Sequence, residues 1–225
     1  MNIWLIMIVV MVASYVIQAV LNSKFDKYSK VPSRSGLTGA QVAQQMLADH
    51  GITDVRVTCI KGRLTDHFNP ADMTVNLSEG VYASSSIAAA AIAAHECGHA
   101  VQHARGYAPL KLRSALVPVV SFSSQIVSWV LLAGVILVER FPSILWLGIA
   151  LFALTTLFSF ITLPVEVNAS SRAVEWLEEK HIADSDTREM AVDALRWAAY
   201  TYVIAALGSL ATLLYYISIA NSSRR

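Results

Sequence analysis

The chain has 225 residues, of which 55% are hydrophobic and only 15% charged, and its mean hydropathy is +0.51. Ordinary soluble domains carry about 25% charged residues, so this balance excludes that class and points to a membrane protein. A net charge of +1 with no basic cluster interleaved with aromatics excludes a nucleic-acid surface, and two cysteines are too few for a disulfide scaffold.

The first apolar run covers residues 3–21, close to the roughly 20 residues that a helix needs to cross a bilayer. No small-residue cleavage site precedes the polar stretch that begins at Asn22, so an anchor that stays attached is expected. After a linker at 32–36, Thr38 and Gln41 form a capping-box pattern that opens a helix over 39–49, and Gly51 ends it. Segments 54–60, 63–68 and 73–77 alternate partly as strands, with Asn69-Pro70-Ala71-Asp72 as a turn. The strand at 73–77 is expected to offer a free edge to which a peptide adds.

Ser84, Ser85 and Ser86 supply N-caps for the next helix, which Gly106 and Pro109 stop. Its alanine-rich stretch, 87–94, is too short for a span and predicts a helix buried in protein. Uncharged runs at 114–138, 141–165 and 197–220 complete four spans, and Pro164 is expected to begin a new helix at the end of the third. The charged segment 174–193 reads as a solvated helical face, and Cys59 and Cys97 as buried free thiols.

Lys24, Lys27, Lys30, Arg34, Arg56, Lys61, Arg63, Arg105, Lys111 and Arg113 lie between spans one and two, and Arg172, Lys180, Arg188 and Arg196 between three and four. By the positive-inside rule that side is cytoplasmic and both termini are outside, although Arg224 and Arg225 oppose the assignment. The expected organisation is a first span (1–21), a cytoplasmic α+β domain (22–113), a transmembrane hairpin (114–165), a cytoplasmic helical segment (166–196), a fourth span (197–220) and a tail (221–225).

Within the alanine-rich helix stands His95-Glu96-Cys97-Gly98-His99. On a helix His95 and His99 lie one turn apart on one face, able to share a metal ion, with Glu96 beside them facing a water. A catalytic zinc needs a third protein ligand and one open position. His103 has the right face but lies about 6 Å further along the axis, too far for the same ion. A chain reversal that would bring in a distant histidine needs Gly at 102 and His at 105, where this sequence has Gln102 and Arg105. Glu166, just after the third span, returns to the same membrane side through the hairpin and is the better ligand.

The runs Leu64-Thr-Asp66-His67-Phe-Asn-Pro70, Leu77-Ser-Glu-Gly-Val-Tyr82, His95-Glu96-x-x-His99-Ala-x-Gln102-His103 and Glu166-Val-Asn-Ala-Ser-Ser-Arg172-Ala resemble the YugP-like neutral zinc metallopeptidases of bacterial membranes, over nearly the whole chain. The element order is more distantly similar to the HtpX and CAAX-type membrane gluzincins. The resemblance implies a zincin-like cytoplasmic domain on a mainly helical α+β membrane protein of the bacterial inner membrane. It also implies Zn²⁺ on His95, His99 and Glu166, and Glu96 as general base for endopeptidase cleavage of membrane or membrane-adjacent proteins. The gluzincin pattern Glu-x-x-Ala-Asp is met by Glu166 and Ala169, but Ser170 stands in place of the aspartate, so Asn168 or Ser170 is the candidate support for a ligand histidine. Arg172 and His67 are the candidates to stabilise the oxyanion, and His103 is a candidate to support the ligands from behind or to lie on the helix surface.

The competing expectation is a non-proteolytic membrane scaffold or regulator with a structural metal, for which a fourth protein ligand such as His67 or His103 would close the site. A transporter would need ionisable groups inside the spans, and the three later runs contain none. The bilayer and a peptide or protein substrate are the expected partners. A homo-oligomer or a regulatory membrane partner stays open.

Overall fold

A computed structural model describes residues 3–222; Arg224 and Arg225 and most of the 221–225 tail lie outside the described residues. Its elements in chain order are α1 (Ile3–Tyr28), α2 (Gly39–Asp49), β1 (Arg56–Ile60), β2 (His67–Asn69), β3 (Thr74–Ser78), α3 (Glu79–Tyr82), α4 (Ile87–Ala104), α5 (Ala108–Ile136), α6 (Pro142–Glu179) and α7 (Ser185–Ser222). The protein is mainly helical with one small sheet. Among the described residues, α1, α5, α6 and α7 are the four helices long and apolar enough to cross a membrane.

The chain divides into two compact units. One gathers the residues up to Val16, Lys111–Leu163 and those from Thr201 onward; the other comprises Ile17–Leu110 and Pro164–Tyr200. In the first unit Val127, Leu131, Leu145 and Ile149 form the interior, while Trp129 and Phe122 face outward. Large apolar side chains on the outside are what a lipid solvent selects.

The second unit is built around α4. Ser86 caps it by accepting from the Ala89 N–H at 3.2 Å. Gly106, in the left-handed region with φ +64°, closes its far end. The Tyr107 and Gly106 N–H groups there return to the Gln102 and His103 carbonyls at 2.9 and 3.0 Å. Ala88–Ala91, Ala93 and Ala94 are all buried, so this stretch is a protein core helix, and its small side chains admit α2, α3 and the sheet at close range. The helix α2 carries the full capping box between Thr38 and Gln41, and Gly51 terminates it at φ +70°.

The sheet order is β1-β3-β2, with β3 parallel to β1 and antiparallel to β2. This corrects the expectation of a free edge at 73–77: that strand is central and paired on both sides, and the edges are β1 and β2. Alternation of apolar residues reports which face of a strand is buried, not which neighbours it takes.

Three further expectations are corrected. Pro164 starts no helix; α6 runs unbroken through it, and its missing N–H removes one bond from the ladder. Segment 174–193 is more than a solvated face, because Trp176, Leu177, Ile182, Ala183 and Ala191 belong to the core. The Trp176 indole N–H also donates to Asp49 Oδ2 at 3.0 Å. Cys59 is exposed on the edge strand β1, whereas Cys97 is buried as expected.

Candidate metal centre

Helical spacing puts His95 and His99 one turn apart on α4, with ring centroids 4.8 Å apart and the rings nearly perpendicular. Glu166 arrives from α6. The approach of α6 depends on Gly98, where a Cβ would stand 2.7 Å from the Ala169 carbonyl oxygen and 3.1 Å from its Cα. No larger residue leaves room for that backbone.

One ligand atom from each of His95, His99 and Glu166 lies within 4.8 Å of the others. Glu166 Oε2 is 3.4 Å from His95 Nε2 and 3.6 Å from His99 Nε2. Zinc bonds of about 2.0–2.1 Å in a tetrahedron require ligand atoms roughly 3.3 Å apart. The donors therefore fit a zinc ion in chemistry and in spacing. His99 is raised from its ordinary value even though burial works against its charged form. The hydrogen bond to Glu166 and the charges of Glu96 and Glu166 outweigh that burial.

Both imidazoles are held from behind. His99 Nδ1 is 3.1 Å from Gln102 Oε1, and His95 Nδ1 is 3.1 Å from Ser170 Oγ. The Gln102 amide donates to the Val165 carbonyl at 2.8 Å and to Asn168 Oδ1 at 3.0 Å. Asn168 Oδ1 also accepts from Arg172 Nε at 2.8 Å. Ser170 and Asn168 are thus both brought to the histidine supports, and Arg172 joins them through Asn168. Gln102 was not among the expected site residues. Its signal was a polar side chain one turn after His99, beside the face that carries both histidines.

Glu96 is buried, and its Oε2 accepts from the Phe68 N–H on β2 at 3.0 Å. His67 and His103 lie outside the cluster. His67 Nδ1 donates to the Thr65 carbonyl at 2.8 Å, and its Nε2 accepts from Asn76 at 3.2 Å. His103 packs on the Phe68 ring with centroids 5.7 Å apart. Cys97, though inside the motif, points its thiol at the Ala43 carbonyl, and burial holds that thiol far above its ordinary value. Cys97 is not part of the group formed by His95, His99 and Glu166.

Two imidazoles and a carboxylate from separate helices form a group that could hold a metal ion. A family profile described as "Putative neutral zinc metallopeptidase" matches residues 3–221, and the chain belongs to that family. It is also 42% identical over 211 residues to the "Putative membrane protease YugP" of Bacillus subtilis (strain 168), covering 94% of this chain and 93% of that one. No solved structure is significantly similar to it.

Proposed function

We propose that the protein is a zinc-dependent endopeptidase of the bacterial inner membrane. The observation that carries the reading is the convergence of three ligand residues, with Glu166 Oε2 3.4 Å from His95 Nε2 and 3.6 Å from His99 Nε2 and all three ligand atoms within 4.8 Å of one another. Those three residues would hold the ion, and His67 and His103 stand outside their cluster, which favours an open, catalytic site over a structural one. Zinc bound there supplies a Lewis acid and lowers the pKa of water to about 7.

Glu96 is the general base. The Phe68 N–H fixes one of its carboxylate oxygens, and the Glu96 carboxylate takes the proton of the attacking water and passes it to the leaving amine. Ser170 and Gln102 orient the two imidazoles, and Arg172 acts through Asn168 on that network; His67 and His103 have other partners and no assigned step. β2 is paired on one side only, by β3, so its other edge, beside Glu96, is the place for an extended substrate to add as a strand. A substrate peptide carrying a photo-crosslinker should attach at 67–69; attachment at the opposite edge, 56–60, would move the docking site.

The excess of Lys and Arg between spans one and two and between three and four supports a cytoplasmic position for the catalytic domain. Glu166 follows directly on the apolar run 141–165, which supports membrane or membrane-adjacent proteins as substrates. The deciding experiment measures zinc content and cleavage of an unfolded or membrane substrate by purified full-length protein. Wild type should carry one zinc per chain. Glu96→Gln should keep that zinc and lose about 10²-fold or more in rate. Cleavage at the wild-type rate by Glu96→Gln would remove Glu96 from its role, and a wild type without zinc would remove the site.

A further inference from the structure

Gln102 is fully buried, at 0% exposure, and a buried amide is costly unless its hydrogen-bonding groups are used. Its orientation follows from its partners. The Val165 carbonyl can only accept, so the –NH₂ of Gln102 must face α6, where it reaches Val165 at 2.8 Å and Asn168 Oδ1 at 3.0 Å. That turns Oε1 toward His99 Nδ1 at 3.1 Å. An amide oxygen has no proton to give, so Nδ1 carries the hydrogen, and Nε2, the atom facing Glu166, is the nitrogen left to give its lone pair to a metal ion when the ring is neutral.

We infer that Gln102 is a positioning residue that locks His99 in its Nδ1–H tautomer and clamps α4 to the turn of α6 that carries Glu166. One side chain thereby sets the electronic state of one ligand and the distance to another. This rests on the proposed zinc site and adds to it a residue that makes metal affinity depend on the docking of two segments distant in the chain. The support behind His95 differs in kind. Ser170 Oγ can donate or accept, so it orients the ring without dictating the tautomer. The Gln102 clamp also has an electrostatic anchor, because Asn168 Oδ1 accepts from the Arg172 guanidinium at 2.8 Å as well as from Gln102. Supports behind metal-ligand histidines typically contribute 10–100-fold in metal affinity.

The test compares full-length wild type with Gln102→Leu, which keeps the volume and removes the polar groups, and with Ser170→Ala. Zinc affinity is measured by chelator competition, and site geometry by the visible absorption of the Co²⁺-substituted protein. Gln102→Leu should bind zinc roughly 10–100-fold more weakly, with a changed Co²⁺ spectrum, and Ser170→Ala should lose less than about tenfold. Wild-type affinity and spectrum in Gln102→Leu would overturn the proposal. A second measurement needs no variant: ¹⁵N shifts of labelled histidines in the zinc-bound wild type should show His99 metallated at Nε2 and protonated at Nδ1, and metallation at Nδ1 would overturn it. A wild type that binds no zinc would instead strike at the metal site itself.

Discussion

Each of the two units contains a glycine against which the backbone of another helix rests. A Cβ on Gly98 would lie 2.7 Å from the Ala169 carbonyl oxygen, and one on Gly134 would lie 2.6 Å from Leu145 Cα. The steric device is the same. Its surroundings differ: Gly134 sits among Val127, Leu131 and Leu145 in an apolar interior, whereas Gly98 lies between the imidazoles of His95 and His99 in sequence, and its partner segment carries Glu166, Asn168 and Ser170. Close approach serves packing alone in the first unit; in the second it sets the distances within a polar site.

Valine at either position would break that equivalence, and this is the largest effect expected. Both substitutions force α-helical backbones apart at a cost of about 3 kcal/mol. Gly98→Val should also abolish zinc binding, since Glu166 can no longer meet both imidazoles. Gly134→Val should leave zinc content per folded chain unchanged. Unfolding midpoints in detergent together with metal analysis would separate the two, and tight zinc binding by Gly98→Val would refute the role given to the contact.

The same contrast governs what the sequence made legible. Spans announce themselves by composition, so α1, α5, α6 and α7 were readable as membrane-crossing helices, although each runs beyond its apolar stretch or starts before it. In the second unit, spacing carried the information. Thr38, Gln41 and Gly51 marked both ends of α2, and His95 and His99 declared a shared face. Strand order was not legible, because pairing is a long-range choice among partners that look alike locally. Segment 174–193 misled because its many charges masked Trp176, Leu177 and Ile182, which close the core. Gln102 was hidden for a related reason: a single polar residue declares its role only when the partner helix is in place.

Polar groups inside the second unit give a smaller, pH-dependent effect. Burial pushes the Asp66 carboxyl above its ordinary value, against the hydrogen bonds it accepts from the Ser78 N–H and hydroxyl. The folded state therefore holds this proton more tightly than the unfolded chain does. The resulting stabilisation is fully present below the unfolded pKa of about 3.9 and is lost as pH rises through the folded value. Asp66→Asn stays neutral and still offers an oxygen to Ser78, so its stability should change less with pH than that of wild type just above pH ~4. Parallel thermal unfolding curves at several pH values check this, and identical pH dependence in both proteins would refute it.

The smallest effect is expected at the surface of the same unit, where Arg63 pairs with Asp26 and lies over the Phe25 ring, 5.3 Å from its centroid. The pair looks as well made as any contact at the metal site, yet its side chains are 55% and 58% exposed. Water screens the charges, and holding two long side chains in one arrangement costs entropy, so such pairs contribute about 0–1 kcal/mol. Arg63→Ala should accordingly shift stability by less than about 1 kcal/mol, with any loss shrinking further in high salt, and should leave zinc affinity untouched. A loss several times larger that persists at high salt would mean that the ring contact and the aliphatic stem of Arg63 hold α1 to the sheet connection by packing. In that case the site-bearing unit would depend on its surface as much as on the buried seam between α4 and α6.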